Sequence, residues 1–210
     1  MKESLNKQKR KIRQTLTKNK ILFSRLIKEI EISNIYQIIP SSKTKKSAVL
    51  LLIFPDENEK LHTIIIEKIN DNTPHSGQIA LPGGQKEWYD LTLHRTAIRE
   101  ASEELGIKNR IETLGRLSPI YISVSNFFVQ PFVGWLKKKP NIKLNTKEIK
   151  NYYFIPLDYI KNLEKYITEK DIIVRGELLK VKGFEFSKIF IWGATAKILA
   201  EFSEYLNLID

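Results

Sequence analysis

The sequence predicts an α/β fold: a sandwich in which a mixed β-sheet is covered by helices on both faces, preceded by a basic helical extension. Three observations predict it. The runs AVLLLIF (48–54) and LHTIIIEKI (61–69) have the length and β-branched composition of strands. Residues 91–105 repeat apolar side chains at helical spacing, and strand-like and helix-like stretches follow one another to the end of the chain. With 210 residues, 42% hydrophobic and 28% charged, the chain has the make-up of one globular domain with an appendage.

The elements follow in order. Between Leu5 and Ile32 there is no Pro or Gly, and Leu5, Ile12, Leu16, Phe23, Leu26, Ile27 and Ile30 suit one or two amphipathic helices. Pro40 and SSKTKKS then read as a linker, which divides the chain into a 1–40 extension and a 41–210 domain. The two β-branched runs are joined by the polar turn DENEK. A helix over 91–105 takes Asp90 as its N-cap and stops at Gly106. Strands are expected at Ile111–Leu117 and Phe127–Leu136, then a turn at KKKPN (137–141). A short strand at Ile142–Leu144, another at Tyr152–Ile155 and a short helix at Leu157–Leu163 come next. Strand pieces at Ile172–Val174, Leu178–Val181 and Phe184–Phe186 precede a final helix from Thr195 to Leu206.

Net charge is +11, but residues 1–28 alone carry +9, which leaves +2 for the rest. The basic character therefore belongs to the extension, and a nucleic-acid-binding domain is not expected. The extension reads as a helix packed on the domain or on a second subunit, which makes a homodimer compatible with its apolar stripe. Cysteine is absent, which excludes disulfide scaffolds, zinc ribbons and thiol nucleophiles. The longest apolar stretch, Ala48–Phe54, is far short of the roughly 18–20 residues of a membrane span. No apolar signal core follows the first basic residues, so a cytoplasmic protein without membrane partners is expected.

One segment, residues 75–107, differs in kind. On its helix Glu100, Glu103 and Glu104 project from one side, while Ala97, Ile98, Ala101 and Leu105 form the side that can bury. Three carboxylates on one turn repel each other and oppose the helix dipole near its C-terminal end. A hard divalent cation, Mg²⁺ or Mn²⁺, would offset that repulsion, because such ions prefer oxygen ligands and bring phosphate with them. Arg99 and Glu103 stand at i, i+4 and can pair, which orients the acidic side chain. Upstream, Pro82-Gly83-Gly84 offers main-chain N–H groups that an anion can approach without Cβ obstruction.

These residues resemble the Nudix hydrolase pattern G-x5-E-x7-R-E-U-x-E-E-x-G-U, with U apolar. Its second half is complete, from Arg99-Glu100 through Glu103-Glu104 to Gly106-Ile107. Fourteen residues separate Gly84 from Arg99, one more than the pattern has, and the first acidic position falls to Asp90. The longer spacer is similar to that of the coenzyme A pyrophosphatase branch, in which His75, Gly77, Gln78, Pro82, Gly83, Gly84, Asp90, Thr96 and Ala97 also match. The stretches at 118–136, 148–160 and 189–202 look like that branch as well, so the likeness covers roughly residues 47–206.

The resemblance implies hydrolysis of a phosphoanhydride by water, with Mg²⁺ or Mn²⁺ held by Glu100 and Glu104 and with Glu103 ligating or positioning. Glu100, Glu103 or Glu148 could each act as general base. Lys68 stands where the branch's CoA signature has its first Arg, Thr73 where it has its second, and Leu81 where it has Phe. Lys68 can hold phosphate as a point charge, whereas Thr73 adds no charge. The implied substrate is CoA or a derivative, cleaved to 3′,5′-ADP and a 4′-phosphopantetheine product. The alternatives are a nucleoside triphosphate, ADP-ribose or a dinucleotide, or a binding protein on the same fold. His75 reads as a hydrogen-bonded residue that shapes the Gly77 turn, and Tyr121, Phe127, Phe128 and Trp192 read as core aromatics.

Overall fold

The run of apolar residues after the linker forms β1 (Lys45–Pro55), and the second run forms β2 (Leu61–Lys68). Both are buried on two faces. Ala48, Leu50, Leu52 and Phe54 of β1, with Ile64 and Ile66 of β2, pack on one side against Ala97, Ala101 and Leu105 of α2 (Leu93–Leu105). Leu51, Ile53 and Ile65 point the other way, into a cluster with Ile12 and Leu16 of α1 (Lys2–Lys18), Ile160 of α3 (Leu157–Lys161), and Ile198, Leu199 and Phe202 of α4 (Gly193–Asn207). A period of two that is apolar on both faces is what a sheet sandwiched between helices requires.

The computed structural model describes residues 2–18, 41, 43–69, 77–174 and 176–209. The second half of the expected N-terminal helix, the linker proline, Thr73 and His75 lie outside them.

The main sheet is mixed. β1 runs parallel to β7 (Phe127–Trp135) along Lys45–Ile53. On its other side it pairs antiparallel with β4 (Gly83–Gln85) near its start and with β2 at its far end. β2 continues the sheet to β8 (Ile149–Pro156) and β3 (Ile79–Ala80), while β7 carries β5 (Glu112–Arg116) and β6 (Ile120–Ile122). A second sheet comprises β9 (Ile167–Val174), β10 (Glu177–Phe186) and β11 (Ile189–Trp192). The three expected late strand pieces are thus parts of one long hairpin, the first in β9 and the other two in β10. Ile142–Leu144 is not a strand, because its neighbours bond the end of α2 instead: the Lys143 N–H donates to Leu105 O and the Asn145 N–H to Glu104 O.

α1 lies on β5. Ile12 and Leu16 are buried, and Leu16 packs where Gly115 has no side chain. Lys9 and Arg13 meet Glu112 at 3.2 and 2.6 Å. Two part-exposed ion pairs contribute about 0–1 kcal/mol each, so the apolar pair anchors the helix and the charges set its rotation.

Candidate active site

α2 begins two residues later than its periodicity suggests. Thr92 is the N-cap, its hydroxyl accepting from the Arg95 N–H, and Gly106 ends the helix at φ 66° as expected. Asp90 is not the cap, because its carboxylate is used elsewhere. It accepts from Arg99 Nε at 3.1 Å and Nη2 at 2.8 Å, from Thr96 Oγ1 at 3.0 Å and from the Glu87 N–H at 3.0 Å. Those bonds, the guanidinium first, hold its carboxyl well below the usual carboxylate range. Arg99 is raised in turn, chiefly by Asp90.

Fixed from below, Arg99 presents Nη1 to both Glu100 and Glu103, each at 2.9 Å, and Nη2 to the carbonyl of Gln85 at 3.1 Å. One guanidinium thus separates two carboxylates that would otherwise repel. Glu104, one turn beyond Glu100, is only 1% exposed. It accepts from the Gly83 N–H at 2.8 Å and meets Lys68 Nζ at 3.3 Å. Burial is the main cause that pushes its carboxyl up to about 7, and burial also raises Glu100.

The glycine pair is β4, a strand where a loop was expected. Gly83 lies at φ 155°, and any Cβ there would collide with the backbone of Ala48 and Val49. A Cβ on Gly84 would lie 2.5 Å from Cδ and Oε1 of Glu100. Small residues on β4 therefore let the sheet approach α2 closely enough to hold both carboxylates. Gly84→Ala is expected to lower stability by about 1–3 kcal/mol through overpacking and to displace Glu100 from Arg99. Urea unfolding and the structure of the variant check this.

The structure brings together Lys68, Gly83, Gly84, Arg99, Glu100, Glu103 and Glu104. Glu103 is the outermost, half exposed on Arg99. Glu148 sits in the turn before β8, where its carbonyl accepts from the Ile69 N–H and its carboxylate from Asn145 Nδ2 at 3.2 Å. Among the described residues it reaches the glutamate cluster only through Asn145, whose N–H donates to the carbonyl of Glu104. Sequence reasoning missed Asn145, the Gln85 carbonyl and the clamping role of Asp90. The one readable signal was the extra spacer residue, which leaves Asp90 nine positions before Arg99.

The donor set is one a hard cation accepts. It is all carboxylate oxygen, and among the described residues the buried Glu104 is paired with Lys68 and the part-buried Glu100 with Arg99. Among the described residues no three carboxylates or imidazoles are grouped so that together they could hold a metal ion. Mg²⁺ is ordinarily held by one or two carboxylates, with water and substrate phosphate completing its shell, so an open set fits it.

A helix with buried carboxylates set against a glycine strand of a mixed sheet defines a class. The sequence profile of the NUDIX domain matches residues 44–175, and the chain belongs to the Nudix hydrolase family. It is 29% identical to the Nudix hydrolase NudL of Photorhabdus laumondii over 169 residues, 80% of this chain and 88% of that one. It is 32% identical to NudL of Pectobacterium atrosepticum over 161 residues, 76% of this chain and 82% of that one. A MutT/nudix family protein from Enterococcus faecalis shares the fold, with a TM-score of 0.52 at 17% identity over 81% of this chain and 66% of that one. The protein is a Nudix hydrolase that acts on a pyrophosphate-linked substrate. Among the described residues no helix is long and apolar enough to cross a membrane.

Proposed function

We propose that the protein is a metal-dependent pyrophosphohydrolase of CoA or a CoA derivative, releasing 3′,5′-ADP and a 4′-phosphopantetheine product. The observation that carries the hydrolase reading is the burial of Glu104, with Glu100 part-buried beside it against β4, a charge placement that raises both carboxyls. The long spacer between Gly84 and Arg99, taken up by the Asp90 clamp, supports the CoA branch in particular.

Glu100 and Glu104 would hold Mg²⁺ or Mn²⁺, with Glu103 ligating or positioning. Such an ion, when bound, lowers the pKa of water and offsets charge on phosphate oxygens. The chain's own residues do the positioning. Arg99 keeps Glu100 and Glu103 in register, and Gly83 fixes one oxygen of Glu104. Lys68 carries a positive charge to the place where phosphate would lie. Glu100, Glu103 and Glu148 remain the three candidates for accepting the proton of the attacking water.

One observation favours a second reading, in which ADP-ribose, a dinucleotide or a nucleoside triphosphate is cleaved. Lys68 is engaged by Glu104, and a CoA 3′-phosphate needs a cation of its own. Hydrolysis of CoA, acetyl-CoA, dephospho-CoA, ADP-ribose, NADH and the nucleoside triphosphates, with Mg²⁺ or Mn²⁺ and product identification by mass, decides between them. CoA turned over in preference to dephospho-CoA is the expected result. Preference for another member moves the specificity, and metal-independent inactivity toward all of them would overturn the hydrolase assignment.

A further inference from the structure

We propose that Trp88 and Tyr89 form a stacking platform for the nucleobase of the substrate, a proposal that rests on the nucleotide-like substrate inferred above. Three large apolar side chains stand in water on the short loop between β4 and α2: Trp88 is 90% exposed, Leu91 86% and Tyr89 53%. A loose loop could bury them by collapsing, but this one is held. The Lys86 N–H donates to Lys46 O, the Asp90 N–H to Glu87 O, and the Glu87 N–H to the Asp90 carboxylate. The loop thus holds its aromatic rings outward, and a fixed exposed aromatic group marks a contact with something else.

Position identifies the occupant. The guanidinium carbon of Arg99 lies 5.6 Å from the centre of the Tyr89 ring, and the same guanidinium contacts Glu100 and Glu103. The platform is therefore one side chain away from the carboxylates. Trp88 and Tyr89 stand edge to face, with ring centres 5.5 Å apart and planes at 83°, and at 90% exposure the indole is open to a ligand. A flat ring attached to a diphosphate is the ligand chemistry this fits. Three side chains on one turn are far smaller than the roughly 800 Å² per partner of a stable protein interface.

The test uses the full chain, with ADP as a probe that carries a base and inorganic pyrophosphate as one that does not. Trp88→Ala leaves every bond that holds the loop in place. Calorimetric titration is expected to show ADP binding about ten- to a hundred-fold more weakly in this variant, with pyrophosphate unchanged and Trp88→Phe close to the parent protein. In turnover KM rises while kcat is kept. Unchanged ADP affinity, or equal losses for ADP and pyrophosphate, would overturn the proposal. So would a dimer lost in gel filtration with ADP binding intact, which would assign the loop to a second copy of the chain. Failure of the hydrolase reading is distinguishable, because it would abolish turnover of every substrate and leave the ADP-against-pyrophosphate comparison readable.

Discussion

Glu104→Gln is expected to reduce hydrolysis by at least about a hundred-fold while making the metal-free protein more stable. The first effect follows from losing the charge of a proposed ligand, since even the outer partners of a bound metal are worth up to about a hundred-fold. The second follows from burial. Glu104 titrates at about 7 in the folded protein against 4.5 for an unshifted glutamate. A carboxyl raised on folding favours the folded state below the lower value and loses that contribution as pH rises through the upper one. The ionised side chain therefore weakens the fold by up to about 3 kcal/mol above pH 7, and Gln removes that burden while still accepting from the Gly83 N–H. Thermal unfolding at pH 8 in chelator, beside a turnover assay, checks both. A variant that is no more stable than the parent would mean that Lys68 already neutralises Glu104 fully.

Asp90→Asn should have the opposite signature, losing stability and activity together. Asp90 is the first of Arg99's carboxylate partners, and its loss leaves the part-buried guanidinium with Glu100 and Glu103 alone, at a cost of about 1–3 kcal/mol. Because Asp90 is depressed on folding, its contribution is present above the unshifted value of 3.8 and is lost as pH falls below it. The gap between parent and variant in urea unfolding is thus wide at pH 7 and narrows toward pH 3. Turnover falls by about ten- to a hundred-fold, because Arg99 no longer holds Glu100 and Glu103 apart. An unchanged midpoint at pH 7 would show that Glu100 and Glu103 satisfy Arg99 without Asp90.

The contrast between these residues explains what could be read in advance. Glu100, Glu103 and Glu104 were legible as a cluster because three carboxylates on one turn violate helix energetics. The strands of β1 and β2 were legible because burial on two faces demands an unbroken apolar run. β4 was not, since a strand of Gly-Gly-Gln carries no propensity and is made by its neighbours Ser47–Val49. Asp90 was read as a cap because that is what local sequence favours. The bidentate pull of an arginine nine residues away overrode it and passed the cap to Thr92. The β9–β10 hairpin read as fragments because its outer half faces water, where Ile173 and Leu178 are exposed and no apolar period is enforced.

The docking of α1 on β5 has a consequence in time. Ile12 and Leu16 leave the ribosome early, yet the Arg13 contact to Glu112 spans 99 positions and the Lys11 contact to Ile209 spans 198. At about 5–20 residues per second, the helix must wait on the order of 5–20 s for its strand and longer for the chain end. Throughout that interval the strand that receives its apolar stripe has not been made. The lysines and arginines along it add little to the finished fold, and their like charge is expected to oppose association of nascent copies until the surface that receives the helix has been made.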